Sequence, residues 1–417
     1  MKAVILAAGE GKRMWPLTHS RPKVMLPLVN RPVMEHIIMQ LAKAGIKEIV
    51  LVTGYHEEII KEYFGDGSRW GVAIEYVNQQ KQSGTADALR MAKSRLSQHF
   101  LVLNGDIIVS SDDIAKLIDS QKPAMAGITS NNLFGLGVVE VDNNRIVRIH
   151  EKSKEPPSHM VNAGLYYLDR CIFDAIDRTA VSSRGEYELT DSLQILIDGG
   201  YELFLVEIEQ WFDLGYPWSL LNANQWFCKK LSFHNSGCIE EYAVVKGAVS
   251  IGEGTVIRSG SYIVGPVIIG KNCQIGPNCY IRPYSSIGNG CHIGASVEVK
   301  NAIIMQNSSL PHHNYVGDSI IGVGCNLGAG TKIANLRLDK KEMKVADMPT
   351  GLRKFGAVIG DGVQTGINAS INCGCIIGER VFIGPNALAA GVINSGVRID
   401  KSGSIARHRK LPERKSG

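Results

Sequence analysis

The chain has 417 residues, 44% hydrophobic and 20% charged, with a formal net charge of +5. That length implies two domains, and the composition excludes a disordered or fibrous chain. The small basic excess, part of it in the terminal RHRKLPERKSG, defines no nucleic-acid surface, and no apolar run reaches the ~18 residues of a membrane span.

The opening stretch, MKAVILAAGEGKRM, is an apolar strand that runs straight into Gly9, Glu10, Gly11, Lys12 and Arg13. It reads as a folded first strand rather than a secretion signal. With nine cysteines and no such signal, reduced thiols and a cytoplasmic setting are expected. A strand followed by a glycine-rich turn suits a phosphate. It is not a Walker loop, and Met14 stands where a dinucleotide fingerprint needs its third glycine. Taken alone, such a stretch is more often an ordinary tight turn than a ligand site.

Strands and helices then alternate. EIVLVTG (48–54), VAIEYVNQ (72–79) and HFLVLNGDIIV (99–109) read as strands; VMEHIIMQLAKAG (33–45) and TADALRMAKSRL (85–96) have helical apolar spacing. The alternation predicts a mostly parallel sheet covered by helices, with ligands at the carboxyl ends of its strands. GVVEVD, RIVRIHEK and NAGLYYLD are richer in strand and predict a mixed edge. Within this region Arg13, Arg21 and Lys23 crowd one proline-stiffened segment, GEGKRMWPLTHSRPKVMLPL. With the amides of Gly9 and Gly11 they suit a triphosphate; the plain alternative is a basic, solvated loop. Gly84 and Thr85 open a helix after a strand. Asp106 in VLNGDIIV and Asp213 in WFDLG follow apolar strands, and two such carboxylates suit one Mg²⁺.

From about residue 239 the period changes. Ile251, Ile257, Ile263, Ile269, Ile275, Ile281, Ile287, Ile293 and Val299 recur every six residues. The period resumes at Ile321, Leu327 and Ile333, and again from Ile359 to Ile383. This is the hexapeptide signature of a parallel β-helix, in which residues 18 apart stack, so Ile251, Ile269 and Ile287 form one interior column. Cys273, Cys279 and Cys291 share a slot with Thr255, Ser261, Val267, Ser285 and Val297, a column of small residues beneath a corner rather than a metal site. Cys373 and Cys375 receive the same reading.

The repeat is interrupted at QNSSLPHHNYVGDS and by about twenty residues around ANLRLDKKEMKVADMPTGLRKFG. Insertions in a solenoid map to loops on one face. His312, His313 and Tyr315 lie in the first interruption; Asn335, Lys340, Lys341 and Lys344 lie in the second. Arg282 and Lys300 replace repeat glycines. Each cation alone reads as solvated surface; together with a histidine they point to an anionic ligand beside a base.

LAAGEGKRM with RPK, GTADAL, NGD, HEKS, NAGLYYL and WFDLG resembles the sugar-1-phosphate nucleotidyltransferases over residues 1–230. The resemblance implies a Rossmann-like α/β domain with a mixed sheet. Arg13 and Lys23 would hold phosphates, and Ala8, Gly9, Gly11, Gln79, Gly84 and Thr85 the nucleotide. Asp106 and Asp213 would hold Mg²⁺, and Glu151, Lys152 and Asn162 the sugar phosphate. The nucleophile is an ionised phosphate oxygen, so catalysis is positioning and charge neutralisation.

IRPYS, VEVKNA, HHNYVGDS, GCNLGAGT and ANLRLDKK resemble the acetyltransferase half of the bifunctional bacterial enzymes that make UDP-N-acetylglucosamine, over residues 239–405. The resemblance implies a left-handed β-helix that assembles as a homotrimer. His312 would be the general base, with Asn335 beside it and His313 a bystander. Arg282, Lys300, Tyr315, Lys341 and Lys344 would hold an amino-sugar phosphate, helped by Asn326, and acetyl-CoA would lie near Ala329 and Ala390. Residues 231–238 become a linker and 406–417 a basic tail. Asp213 and WPLTHSRPKVMLPL look more like glucose-1-phosphate thymidylyltransferases, and Ser153 stands where proline is more usual, so UTP and dTTP both remain open as donors. Two rivals remain: a nucleotidyltransferase with a purely structural solenoid, and a non-catalytic regulatory subunit. Arg13, Lys23, Asp106 and Asp213 argue against the latter.

Overall fold

The computed structural model describes residues 1–151, 155–403 and 405–407. Lys152 and most of the basic tail lie outside the described residues. Compactness divides the chain into two units. The first comprises Met1–Gly11, Ser20–Leu26 and Pro32–Gly215. The second comprises Lys12–His19, Pro27–Arg31 and the described chain from Tyr216 onward.

The first unit is a nine-stranded mixed sheet with helices. Its order is Ala73–Asn78, Glu48–Thr53, Lys2–Leu6, His99–Asn104, Met160–Asp169, Ala124–Thr129, Phe204–Glu207, Arg145–His150 and Val138–Asp142. The first four strands are parallel; Met160–Asp169 runs antiparallel to its neighbours and makes the sheet mixed. The Val33–Lys43 helix buries Val33, Met34, Ile37, Ile38 and Leu41, the three-and-four spacing of one apolar face. The run expected as one strand over 99–109 splits at Gly105–Asp106 into His99–Asn104 and Ile107–Val109. The short piece pairs antiparallel with Trp211–Asp213.

The second unit is a parallel β-helix with sheets of nine, ten and eight strands. One interior column runs Ile251, Ile269, Ile287, Ile304, Ile321, Ile359, Ile377, Ile393 by direct register. Ile287, Ile304 and Ile321 are 17 residues apart instead of 18, so the first interruption is a shortened coil and not a break in the solenoid. The second is a true insertion carrying a small hairpin, Lys344–Val345 with Met348–Pro349. It is anchored by Met343, Val345 and Phe355, which are buried.

The cysteine slot is a hydrogen-bonded ladder. Thr255 Oγ1 donates to Gly270 O (2.6 Å), Cys273 Sγ to Gly288 O (3.1 Å) and Cys291 Sγ to Met305 O (3.2 Å). Ser308 Oγ and Cys325 Sγ continue it to Gly322 O (2.7 Å) and Gly360 O (3.2 Å). Each small side chain binds a carbonyl of the next coil. Burial pushes the Cys291, Cys325 and Cys375 thiols up to about 12, the opposite of a reactive thiolate.

On the nine-stranded face the outward positions Ser286, Ile303, Ile320 and Val358 are buried too. Segments of the same unit bind this face. Asn224, on the Pro217–Cys228 helix, accepts from Val29 N (3.0 Å) and Ser286 Oγ (2.8 Å) and donates to Tyr284 O (3.1 Å). Asn30 Nδ2 donates to Ile287 O (2.7 Å), and Trp218 packs edge-on against Phe355.

Candidate active sites

In the first unit, Lys2–Leu6 delivers Ala7 and Ala8, both buried, to the glycine turn, where nothing within 4 Å of Gly9 would meet an added Cβ. Lys23 sits on a short turn after Pro22 and is only 9% exposed. Its ammonium donates to Asp106 Oδ2 at 2.7 Å. Asp213 pairs with Ile107 in the small ladder, and Leu214 N donates to Asp106 O (2.9 Å). The ladder therefore brings the two expected metal carboxylates to one end. Two carboxylates at neighbouring strand ends suit Mg²⁺, a hard cation that takes oxygen ligands. The Lys23 ammonium supplies a positive charge to Asp106.

Gln79 is buried, and its Nε2 donates to Gly84 O (3.1 Å) and Asp87 Oδ2 (2.8 Å), holding the loop before the Thr85–Met91 helix. Gly84 has φ 108, and a Cβ there would lie 2.4 Å from Tyr187 O, so only glycine fits. Thr85 Oγ1 accepts from Leu189 N at 2.9 Å, and Ala86 N donates to Tyr187 O at 2.9 Å. Segment 187–189 thus braces the expected base-reading loop. Sequence reasoning passed over it because GEYELTD carries no motif.

Among the expected sugar-phosphate residues, Glu151 Oε1 accepts from Arg184 Nη2 (3.3 Å), which also bonds Glu188 Oε1 (2.6 Å). Burial raises the Glu188 and Asp191 carboxyls above the usual range. Asn162 donates to Tyr166 OH (2.9 Å) and accepts from Gly164 N (3.0 Å). Arg184 was missed for the same reason as segment 187–189. Arg13 belongs to the second unit, its guanidinium 5.1 Å from the Tyr216 ring centre, and that ring stacks on Trp218.

In the second unit the solenoid gathers Arg282, Lys300, Tyr315 and Asn335. Lys300 registers with Gly317, and Arg282 N donates to Val299 O, so these residues stack on successive coils. Arg282 pairs with Glu298 (2.8 Å) and Lys300 with Asp318 (3.1 Å). Asn335 Nδ2 lies 3.1 Å from Tyr315 OH. Burial raises the half-buried Tyr315 hydroxyl. Gly317 leaves the space: a Cβ would lie 2.7 Å from both Tyr315 OH and Asn335 Nδ2. His312 ends the Ser309–His312 strand and is exposed, as is His313, which takes a left-handed backbone (φ 52). His292 is pushed down by burial and then by the charges of His312 and Arg258. Asn326 lies on a different sheet, registered with Ser309 and Gln364. Lys341 and Lys344 are exposed on the insertion. Ala329 O accepts from Asn368 N, and Ala390 is exposed. Glu298, Asn301 and Asp318, the polar partners of this corner, were not singled out from the sequence.

A nucleotide-handling α/β domain followed by a hexapeptide solenoid with its own polar corner defines the class. Residues 2–230 match the nucleotidyl transferase family, 263–373 the GMPPB C-terminal domain and 356–391 the bacterial transferase hexapeptide repeats. Bifunctional protein GlmU of Methanococcus maripaludis is 43% identical over 395 residues, covering 93% of this chain and 94% of that protein. The bifunctional sugar-1-phosphate nucleotidylyltransferase/acetyltransferase of Sulfurisphaera tokodaii is 41% identical, covering 93% and 97%. A crystal structure described as a glucose-1-phosphate thymidylyltransferase from Bacillus anthracis superposes with a TM-score of 0.52 at 30% identity, covering 56% of this chain and 98% of that one. The chain belongs to the family of bifunctional sugar-1-phosphate nucleotidylyltransferase/acetyltransferases. The solenoid is accordingly the left-handed β-helix that the family resemblance implies.

Proposed function

We propose that the solenoid site acetylates glucosamine-1-phosphate from acetyl-CoA, and that the α/β site transfers a uridylyl or thymidylyl group to a sugar-1-phosphate and releases pyrophosphate. The observation that carries the first half is the corner where Arg282, Lys300, Tyr315 and Asn335 meet. A purely structural coil has no reason to bury Asp318 and half-bury Lys300 there. Arg282 and Lys300 receive the phosphate, and His312 takes a proton from the substrate ammonium. The amine then forms the N–C bond as the C–S bond breaks and CoA leaves as the thiol. Imidazole is the side chain whose ordinary ionisation lies nearest neutral pH, which suits a general base here. CoA is assigned to the wall near Ala329 and Ala390.

In the α/β site, Lys23 and Arg13 are assigned to the triphosphate, and Gln79, Gly84 and Thr85 to the base. Glu151, Lys152 and Asn162 are assigned to the sugar phosphate, and Asp106 and Asp213 to Mg²⁺. Bound there, Mg²⁺ would neutralise charge on the α-phosphate and the departing pyrophosphate. Fold similarity to the thymidylyltransferase keeps dTTP beside UTP as donor. A homotrimer working in the cytoplasm belongs to the same reading, supported by the family resemblance.

The test is steady-state CoA release with glucosamine-1-phosphate. His312→Ala is expected to lose ~10²–10⁴ in rate, while His313→Ala keeps most of its activity. If His313→Ala is the dead variant, the base is assigned one residue off. If both are fully active, the solenoid is a scaffold.

A further inference from the structure

We propose that Asp318 is the positioning residue of the solenoid site: its carboxylate dictates which way the Asn335 amide faces and where the Lys300 ammonium sits. The proposal rests on reading this corner as the amino-sugar-phosphate site. Asp318 follows Gly317 in a left-handed backbone conformation (φ 49) and is 4% exposed. Its Oδ2 accepts from Asn335 Nδ2 at 2.5 Å and Lys300 Nζ at 3.1 Å. Its Oδ1 accepts from Asn301 Nδ2 at 2.7 Å and Lys300 Nζ at 3.4 Å. The carboxylate is fixed in turn. Asp318 N donates to Lys300 O (2.9 Å), Gly356 N donates to Asp318 O (2.8 Å), and Gln225 Nε2 donates to Asn301 Oδ1 (3.0 Å).

An ionised carboxylate only accepts hydrogen bonds. Asn335 must therefore turn its NH₂ toward Asp318, and Nδ2 also reaches the Tyr315 hydroxyl oxygen. The amide carbonyl oxygen is then directed away from Asp318, as an acceptor. An acceptor is what an amino group needs before attack: it holds an N–H and leaves the lone pair to face the thioester. Reversed, the same amide would present donors to an ammonium. Meanwhile Lys300 is held with two of its bonds spent on Asp318, leaving one donor for a phosphate oxygen. A single buried carboxylate thus sets the handles for both ends of a zwitterionic amino-sugar phosphate.

The experiment uses the full-length chain, with CoA release measured at varied glucosamine-1-phosphate and varied acetyl-CoA. Asp318→Asn is expected to lower kcat/KM for the sugar phosphate by ~100-fold and raise its KM, since a small misplacement of reacting groups costs that much. The KM for acetyl-CoA and the pyrophosphate release of the same preparation stay unchanged, which a general loss of folding would not allow. Asn335→Asp alone sets two carboxylates face to face and is equally damaging. The exchange Asp318→Asn with Asn335→Asp restores roughly tenfold, because donor and acceptor have only changed sides. An Asp318→Asn chain with wild-type KM, or an exchange variant no better than either single variant, overturns the proposal. His312→Ala run alongside separates the two levels. If it retains full acetyl transfer together with His313→Ala, the reading of the corner falls and the role of Asp318 with it. If it is dead while Asp318→Asn is unimpaired, only the role of Asp318 falls.

Discussion

Lys23 and Asp106 meet at 2.7 Å, and Lys23 is 9% exposed. A buried ammonium on the carboxylate proposed for Mg²⁺ does two things at once. It fixes the carboxylate in place, and it competes with any cation for that oxygen. Asp106→Ala is expected to abolish pyrophosphate release, and EDTA is expected to do the same, while CoA release continues. Lys23→Ala is expected to lower nucleotidyl turnover by ~10²-fold through loss of a charge from the transition state. It is also expected to reduce the Mg²⁺ concentration needed for half-maximal rate, since the competitor is gone. Pyrophosphate release by the Asp106 variant in EDTA at the wild-type rate would remove the metal assignment. A Mg²⁺ titration of Lys23→Ala shifted the other way would remove the competition.

At the scale of elements, the repeat determines which thiols react. Six of the nine cysteines are buried, Cys373 is intermediate, and Cys171 and Cys238 are exposed. Native protein treated with an aromatic disulfide reagent near neutral pH is expected to release three equivalents quickly, and the other six only on unfolding. Fast reaction of Cys273 or Cys291 would contradict the ladder. The buried thiols also set an alkaline limit. Their folded values, up to about 12 for Cys291 and Cys325, lie above the ordinary ~8.5, so burial of the neutral thiol favours folding below that value. That contribution is lost as pH climbs toward 12, and melting temperature should fall across this window. The ladder was legible because a fixed interval from each repeat isoleucine is a statement about a corner. The shortened coils at Ile304 and Ile321 were not, since a single deleted residue shifts the phase and reads as a break. Nor were Asp318, Arg184 and segment 187–189, whose roles come from partners far along the chain. Asp106, Lys23, Arg282 and Lys300, by contrast, could be singled out because short motifs carried them.

For the whole molecule, periodicity marks where the solenoid text begins but not what the solenoid needs. The second unit takes Lys12–His19 and Pro27–Arg31 from the start of the chain and the Pro217–Cys228 helix from the end of the nucleotidyl transferase match. These segments bind the nine-stranded face. Asn224, fully buried, joins Val29, Ser286 and Tyr284; Asn30 reaches Ile287; Pro16 Cβ would lie 3.1 Å from a Cβ built on Gly360; His19 lies 3.6 Å from Glu379. On that face Ile303, Ile320 and Val358 point outward yet are at most 2% exposed. A fragment of residues 231–403 lacks every one of those segments. It keeps its interior isoleucine columns and its parallel ladders, so it is expected to retain strand content. It also uncovers a contiguous apolar strip and leaves Ser286 and Tyr284 O without Asn224, the kind of surface that drives association. The expected outcome is a polydisperse, aggregating fragment by size-exclusion chromatography. Extending it back to Tyr216 should improve solubility, because the Trp218–Phe355 and Asn224 contacts return. In the full-length chain, Asn224→Ala should lower the melting temperature, with a cost of ~1–3 kcal/mol from the groups left unpaired at a fully buried site. A monodisperse 231–403 fragment that melts with the full-length chain would show that the nine-stranded face needs none of these segments.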